Sequence, residues 1–269
     1  MSNARADEDL IPLLQSASPD DLGVLSDYIT DSGKGRISLD NAIMSKLVAA
    51  NARRLYTEED RLLVAHEIQL FGGNTISNLA RGGRGVIFRE IIEDVASRLK
   101  VTFAAGDPVN VIENSILATL AARAWEKMTD EERRDFAKSA GLDVGLGIGP
   151  AALAAIIAAI RASGFAAYKL AAIVANTVAR QILGRGLAFG AAAPFLQGMS
   201  VLAGPIGWAI TAIWTAYDLA SPGYRVTMPC AIQIAYMRKK MQSTICSACG
   251  VPNGPEFKFC SECGHRFST

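Results

Sequence analysis

Four cysteines lie in two Cys-x-x-Cys pairs near the C-terminus, a spacing typical of a metal site. Cys246 and Cys249 are separated by ten residues from Cys260 and Cys263, and the fifth cysteine, Cys230, lies outside the group. Each pair can direct two thiolates at one ion, and four thiolates form the tetrahedral set that Zn²⁺ prefers in closed structural sites. The spacing favours zinc over the alternatives for clustered thiols, a redox pair or an iron–sulfur site.

The segment 245–268 resembles the small zinc-ribbon modules of bacterial proteins. A tail of this length cannot fold on an apolar core of its own, so metal binding would supply on the order of 10 kcal/mol of folding free energy. Gly250 and Gly264 directly follow the two pairs and permit the positive φ that each knuckle needs. His265 is not expected to bind the metal, because four thiolates complete the shell. Three phenylalanines are expected to cover the knuckles: Phe257, Phe259 and Phe267.

The charges of the ribbon favour a protein partner over nucleic acid. Residues 246–269 contain two basic and two acidic side chains, and a zinc ion with four thiolates carries a net charge of about −2. A phosphate-binding surface requires the opposite sign. The basic triplet at 238–240 could assist binding, but three charges at a helix end are more typical of a solvated surface. We therefore expect a protein-docking module.

No catalytic constellation is apparent in the sequence. The chain has two histidines, His66 and His265, and it contains no Ser/His/Asp order, no HExxH motif and no Gly-rich nucleotide fingerprint. We therefore expect a protein that is not an enzyme, with no evident small-molecule substrate.

The glycine- and arginine-rich stretch 71–100 is a second candidate site, in this case for phosphate. Three arginines lie near its glycines and could hold an anion: Arg81, Arg84 and Arg89. The stretch lacks the Gly-Lys-Ser/Thr ending of a P-loop, and no strand precedes it. We favour a glycine turn between two helices, with the arginines paired to neighbouring acids. These acids are Glu90, Glu93 and Asp94.

Helical periodicity governs the chain up to the tail. Ser18 followed by Pro19 predicts one helix start, and Thr57 followed by three acids predicts another. Within 88–100 the apolar residues share one helical face: Ile91, Ile92, Val95 and Leu99. Strands are expected only in the tail. The predicted fold class is mainly α, a multi-helix bundle with an Ala/Gly-rich hydrophobic helical segment and a small C-terminal β zinc ribbon.

Charge is unevenly spread, although the net charge of the chain is +1. Residues 1–140 carry 17 basic and 22 acidic side chains, whereas residues 141–245 carry 8 and 2. We predict an acidic, polar helical domain (1–140), a hydrophobic, basic helical region packed with it (141–243) and the zinc ribbon (244–269). The N-terminus shows no apolar region of a Sec signal peptide. We expect a cytoplasmic protein with peripheral or conditional contact with the inner membrane.

Residues 186–217 contain no charged side chain. Pro194 and the Gly204–Pro205 pair divide this run into pieces that suit core helices better than membrane spans. Tryptophans in the run, and cations along the Ala-rich helices before it, fit a membrane interface instead. The membrane-facing candidates are Arg161, Lys169, Arg180, Arg185, Trp208 and Trp214. A buried core, a constitutive membrane hairpin and a conditional one all stay open at this point.

Four segments carry a family resemblance. They are "DLIPLLQSASPDDLGVLSDYITDSGKGR" (9–36), the glycine- and arginine-rich stretch (71–100), "WEKMTDEERRDF" (125–136) and "YRVTMPCAIQIAYMRKK" (224–240). On these segments the chain resembles the YaaW-like family of uncharacterised bacterial helical proteins, from about residue 9 to residue 241. The resemblance implies an α-helical, cytoplasmic protein of unassigned role, associated by name with ubiquinol–cytochrome c chaperones. It supplies no catalytic residues.

Two functions follow as hypotheses. The first is a non-enzymatic helical protein that acts at the cytoplasmic membrane through its hydrophobic helical segment, with the zinc ribbon docking a protein partner. The alternative is a soluble adaptor or assembly chaperone that binds apolar segments of a partner protein. Lipid is a partner in the first hypothesis only, and nucleic acid is a partner in neither.

Overall fold

The computed structural model describes most of the chain. The described residues are 4–36, 39–73, 85–139, 147–162, 164–187, 223–249, 252–254, 257–260 and 262–267. Within them the fold is mainly helical, with ten helices and one small sheet near the C-terminus. This arrangement confirms the predicted fold class.

Seven helices form the first half of the chain. They are α1 (Ile11–Ser16), α2 (Pro19–Thr30), α3 (Asn41–Arg53), α4 (Glu58–Gly72), α5 (Phe88–Arg98), α6 (Val109–Lys127) and α7 (Asp130–Ser139). Three helices follow: α8 (Pro150–Arg161), α9 (Phe165–Leu183) and α10 (Tyr224–Met241). Strands β1 (Thr244–Ile245) and β2 (Pro252–Asn253) are antiparallel and form the sheet.

Local capping explains where two of the predicted helices begin. The Ser18 side chain accepts a hydrogen bond from the backbone N–H of Asp21, and a proline occupies the first turn of α2. Thr57 forms a reciprocal capping box with Asp60 at the start of α4. Both arrangements satisfy backbone N–H groups that a helix start leaves unbonded. Both predicted helix starts are therefore confirmed.

Helix α10 lies at the centre of the bundle. It packs against α2, α4, α5, α6 and α9, and its residues from Val226 to Met237 are all buried. Helix α9 is also buried along most of its length, and the rings of Tyr168 and Tyr236 join the two helices with centroids 5.8 Å apart. One apolar core runs from Leu10 to Met237, so the bundle holds together elements from both predicted helical domains.

The basic triplet at the end of α10 is not a solvated surface, which corrects the expectation from sequence. Arg238 donates to the buried carboxylate of Glu113 on α6 at 2.8 Å. Lys240 donates to Asp21 of α2 at 2.7 Å. Lys239 donates to the backbone carbonyl that follows α8 at 2.6 Å. The triplet therefore fixes the end of α10 to three other helices.

The apolar run 186–217 lies outside the described residues from position 188 onward. In the part of the chain that the structure describes, no single helix is long and apolar enough to cross a membrane. Helices α8 and α9 meet that criterion only when they are taken together, and their axes are bent by 96°.

Candidate metal centre

The four paired cysteines come together in the C-terminal module. Strands β1 and β2 pair Thr244 with Asn253 and Ile245 with Pro252, which folds the first Cys pair into a hairpin. The second pair lies in a smaller hairpin, where the backbone N–H of Cys260 donates to the carbonyl of His265 at 2.7 Å. The two hairpins therefore present the cysteine pairs to each other, as the doubled spacing predicts.

The sulfur positions fit one tetrahedral metal ion. The four Sγ atoms all lie within 4.8 Å of one another. Cys246 Sγ lies 3.6 Å from Cys263 Sγ, and Cys249 Sγ lies 3.5 Å from Cys260 Sγ. A tetrahedron with metal–sulfur bonds of about 2.3 Å has edges of about 3.8 Å, whereas a disulfide requires about 2.05 Å. The cluster can therefore hold a metal ion, and its thiols are not paired as disulfides.

Backbone geometry stabilises the thiolate form of Cys260. Burial alone would raise the pKa of this thiol, but N–H groups of Cys263 and Glu262 and the side chain of Asn253 lower it to about 6. Asn253 is fully buried, and its Nδ2 lies 3.5 Å from Cys260 Sγ. Gly264, just after the second pair, has a φ of +71°, as its position predicts. Sequence reasoning missed Asn253, because only folding brings it to the sulfur.

The module rests on the start of helix α9. Phe165, the first residue of α9, and Phe267 both pack against the buried Cys246 and Cys260. The ammonium of Lys169 lies 4.5 Å from the centre of the Phe165 ring. Burial lowers the pKa of Lys169, while the charge of Glu262 in the ribbon acts in the opposite direction. The four-cysteine cluster is therefore placed near the start of α9, which is the positive end of that helix's dipole.

Two of the three phenylalanines do not cover the knuckles, contrary to prediction. Phe257 is 46% exposed and Phe259 is 55% exposed. Phe267 does pack against the cysteines, and Phe165 from α9 supplies the cover that the sequence assigned to the other two. The reason is that the bundle itself forms one wall of the ribbon. Ile245 of β1 is also 48% exposed, so the described part of the ribbon displays three large apolar side chains.

The predicted membrane-facing cations occupy different surroundings. Arg185 forms an ion pair with Asp27 of α2, and Lys169 lies over an aromatic ring at the ribbon contact. Arg161 and Arg180 are exposed near the ends of α8 and α9. The two predicted tryptophans, Trp208 and Trp214, lie outside the described residues.

The glycine- and arginine-rich stretch also falls partly outside the described residues, since Arg81 and Arg84 belong to the segment 74–84. Arg89 pairs with Glu93 at 3.4 Å, as predicted. Gly85 has a φ of +67°, and a Cβ at this position would lie 2.4 Å from the backbone of Gln69. The backbone at position 85 packs so closely against α4 that only a glycine fits there. This packing explains the glycine without a bound phosphate.

Comparison with known proteins gives consistent matches to one family. The profile of the ubiquinol–cytochrome c chaperone family matches residues 62–232. A UPF0174 protein of Helicobacter pylori (strain J99) is 38% identical over 180 residues, which cover 66% of this chain and 71% of that protein. The UPF0174 protein YaaW of Escherichia coli (strain K12) is 29% identical over 243 residues, which cover 88% of this chain and 96% of that protein. No solved structure matches the chain.

The family match ends before the four-cysteine cluster begins. The family profile ends at residue 232, inside α10, so the four-cysteine cluster lies beyond it. The profile covers more than half of the chain, and it includes the buried helices α6, α9 and most of α4. The chain therefore belongs to the ubiquinol–cytochrome c chaperone family, with YaaW-like UPF0174 relatives, and carries a four-cysteine module after the family region.

Proposed function

We propose that this protein is a non-enzymatic assembly chaperone or adaptor, and that its C-terminal ribbon binds an apolar segment of a partner protein. One observation carries the proposal. Ile245, Phe257 and Phe259 are 48%, 46% and 55% exposed on a module that has almost no core. A folded module normally buries its large apolar side chains first, so their exposure here fits a contact surface for a partner.

The family supports a chaperone role over action on a membrane. The matching profile is described as a ubiquinol–cytochrome C chaperone, and a chaperone acts by binding another protein. The contacting segment of that protein should be apolar to match the ribbon. Aromatic side chains are enriched at such interfaces.

The metal in this proposal is zinc. Four thiolates form a closed set that leaves no position for substrate, which is the arrangement of a structural zinc site. The ion would deprotonate the thiols and lock the two hairpins together. The exposed apolar side chains would then be held in fixed positions on the bundle, which lowers the entropy lost on binding.

Site-specific photo-crosslinking tests the proposal. A photoreactive residue at Phe259 of the full chain is expected to crosslink, in cells, to one dominant protein. The same residue at Leu55, which is 62% exposed at the end of α3, is the matched control for general stickiness. The Phe259 crosslink should disappear in a Cys246→Ser/Cys249→Ser variant. Equal crosslinking from both positions, or crosslinks that survive loss of the cysteines, would contradict a ribbon-specific contact.

Action at a membrane is the competing function. It is favoured by the apolar run at 186–217 and by the combined hydropathy of α8 and α9. Flotation of the full chain with anionic vesicles separates the two functions. The membrane function predicts that the protein floats with the vesicles and that flotation is lost when Arg161 and Arg180 are replaced by Glu. If both results are found and the Phe259 crosslink is absent, the membrane function replaces the chaperone function.

A further inference from the structure

A polar cleft lies between the helical bundle and the first strand of the ribbon. Its volume is about 560 Å³, within the range of small-ligand sites. It is lined by the first turns of α6, by the ends of α8 and α10, and by β1. The lining includes the polar side chains of Asn110, Asn114, Arg161 and Lys239. Among the described residues that line the cleft, none is acidic.

Lys239 is the buried cation of this cleft. The residue is 7% exposed, and its Nζ donates one hydrogen bond, to the carbonyl of Ala162 at 2.6 Å. An ammonium has three N–H donors, so two are left without a partner in the described residues. The nearby carboxylate of Glu113 is occupied by Arg238 at 2.8 Å. Lys239 is therefore a desolvated charge with capacity for another acceptor.

Arg161 is the second cation of the cleft. It is exposed at the last position of α8, and it forms no hydrogen bond or ion pair with any residue that the structure describes. A guanidinium offers a planar fork of donors that suits oxyanions. The free arginine and the half-satisfied lysine thus line the same cleft from two different helices.

Helix α6 adds neutral donors to the two cations. Asn110 lies in the first turn of α6 and Asn114 lies one turn later on the same face, and both residues line the cleft. The start of a helix also carries the positive end of its dipole. The ends of α8 and α10 act against this, because their carbonyls are the negative ends of dipoles, so the side chains decide the charge of the cleft.

We propose that this cleft binds a phosphate monoester, with Arg161 and Lys239 as the cationic contacts and Asn110 and Asn114 as hydrogen-bond donors. Arg161 and Lys239 supply two positive charges, no described lining residue is acidic, and the neighbouring Glu113 is paired with Arg238. This charge matches a group that carries between one and two negative charges near neutral pH. The proposal is independent of the ribbon contact proposed above. The phosphate could belong to a soluble metabolite or to a lipid headgroup, and the chemistry at the cleft is the same for both.

Calorimetric titration of the full chain with glycerol 3-phosphate tests the proposal. Saturable binding with one site per chain is expected, and Arg161→Gln should weaken it by about tenfold or more, because a charge-assisted hydrogen bond is lost. Arg134→Gln removes an exposed arginine on α7 and serves as the matched control, with unchanged affinity. Acetate, a monoanion of similar size at its charged end, should bind far more weakly.

Flotation with vesicles that contain phosphatidic acid distinguishes the two sources of phosphate. If Arg161→Gln weakens flotation and glycerol 3-phosphate competes with it, the source is a lipid headgroup. If only the soluble phosphate binds, the source is a metabolite. The proposal is overturned if millimolar glycerol 3-phosphate shows no saturable binding, if Arg161→Gln binds as tightly as the native chain, or if acetate binds equally well.

Discussion

Replacing Glu113 by Gln should flatten the pH dependence of stability. Glu113 lies on α6 with 2% of its side chain exposed, and it accepts hydrogen bonds from Arg238 of α10. Removal of the carboxylate from water raises its pKa to about 7 from an ordinary 4.5, although the charge of Arg238 favours the ionised form. The folded protein therefore holds a proton on this group at a pH where the unfolded chain has released it.

The sign and the size of the effect follow from proton linkage. Between the two pKa values the folded state binds more protons than the unfolded state, so the free energy of unfolding falls as pH rises. From about pH 5 to about pH 8, a shift from 4.5 to about 7 corresponds to a loss of about 2.5 kcal/mol. Above the folded pKa the loss is complete. Glu113→Gln removes the titrating group and with it this part of the pH dependence.

Urea unfolding followed by circular dichroism measures the change. The free energy of unfolding is determined at about pH 5 and at about pH 8 for the native chain and for Glu113→Gln, and the two pH differences are compared. Burial also raises the pKa of Glu67 to about 7. This carboxyl is present in both proteins, so its contribution cancels when their pH differences are compared. Glu126→Gln, an exposed change on the same helix, should behave like the native chain. An unchanged pH difference in Glu113→Gln would refute the buried, protonated state of this carboxyl.

Three further changes follow from individual contacts. Arg238→Met should lower the free energy of unfolding by about 3 kcal/mol at about pH 8, because it leaves the buried carboxylate of Glu113 unpaired. The loss should be smaller at about pH 5, and denaturant unfolding at the two pH values shows whether the losses differ. Gly85→Ala should lower the melting temperature far more than Gly106→Ala. Both glycines have a positive φ, but only at Gly85 would the added Cβ lie 2.4 Å from neighbouring backbone. Equal shifts in melting temperature would exclude close packing at Gly85. Asn253→Ala should weaken zinc binding by about tenfold or more, since its amide supports a ligand sulfur; chelator competition that shows equal affinity would contradict that support.

Features set by neighbouring residues could be predicted from the sequence. The starts of α2 and α4 follow from capping side chains within three residues of the N–H groups they satisfy. The second knuckle follows from Cys260 and Cys263 with a glycine after them, because the positive φ is a local requirement. Fold class followed for the same reason, since helical periodicity is visible within each segment.

Features set by distant contacts could not be predicted. The triplet 238–240 looks solvated in sequence, because its partners Glu113 and Asp21 lie more than 120 residues earlier in the chain. Phe165 covers the cysteines instead of Phe257 and Phe259 because α9 meets the ribbon only in the folded chain. A sequence pattern places a side chain only relative to its own segment, whereas these contacts join segments that are far apart in the chain.

A single zinc ion on the four cysteines is proposed to lock the ribbon in place on the bundle. The most direct test is the metal content of the full chain, purified under reducing conditions and measured by elemental analysis. We expect one zinc ion per chain, loss of that ion in Cys246→Ser/Cys249→Ser, and full retention in Cys230→Ser, because Cys230 is buried in α10 away from the cluster. A chain that contains no zinc, or that loses zinc only when Cys230 is replaced, would contradict the account.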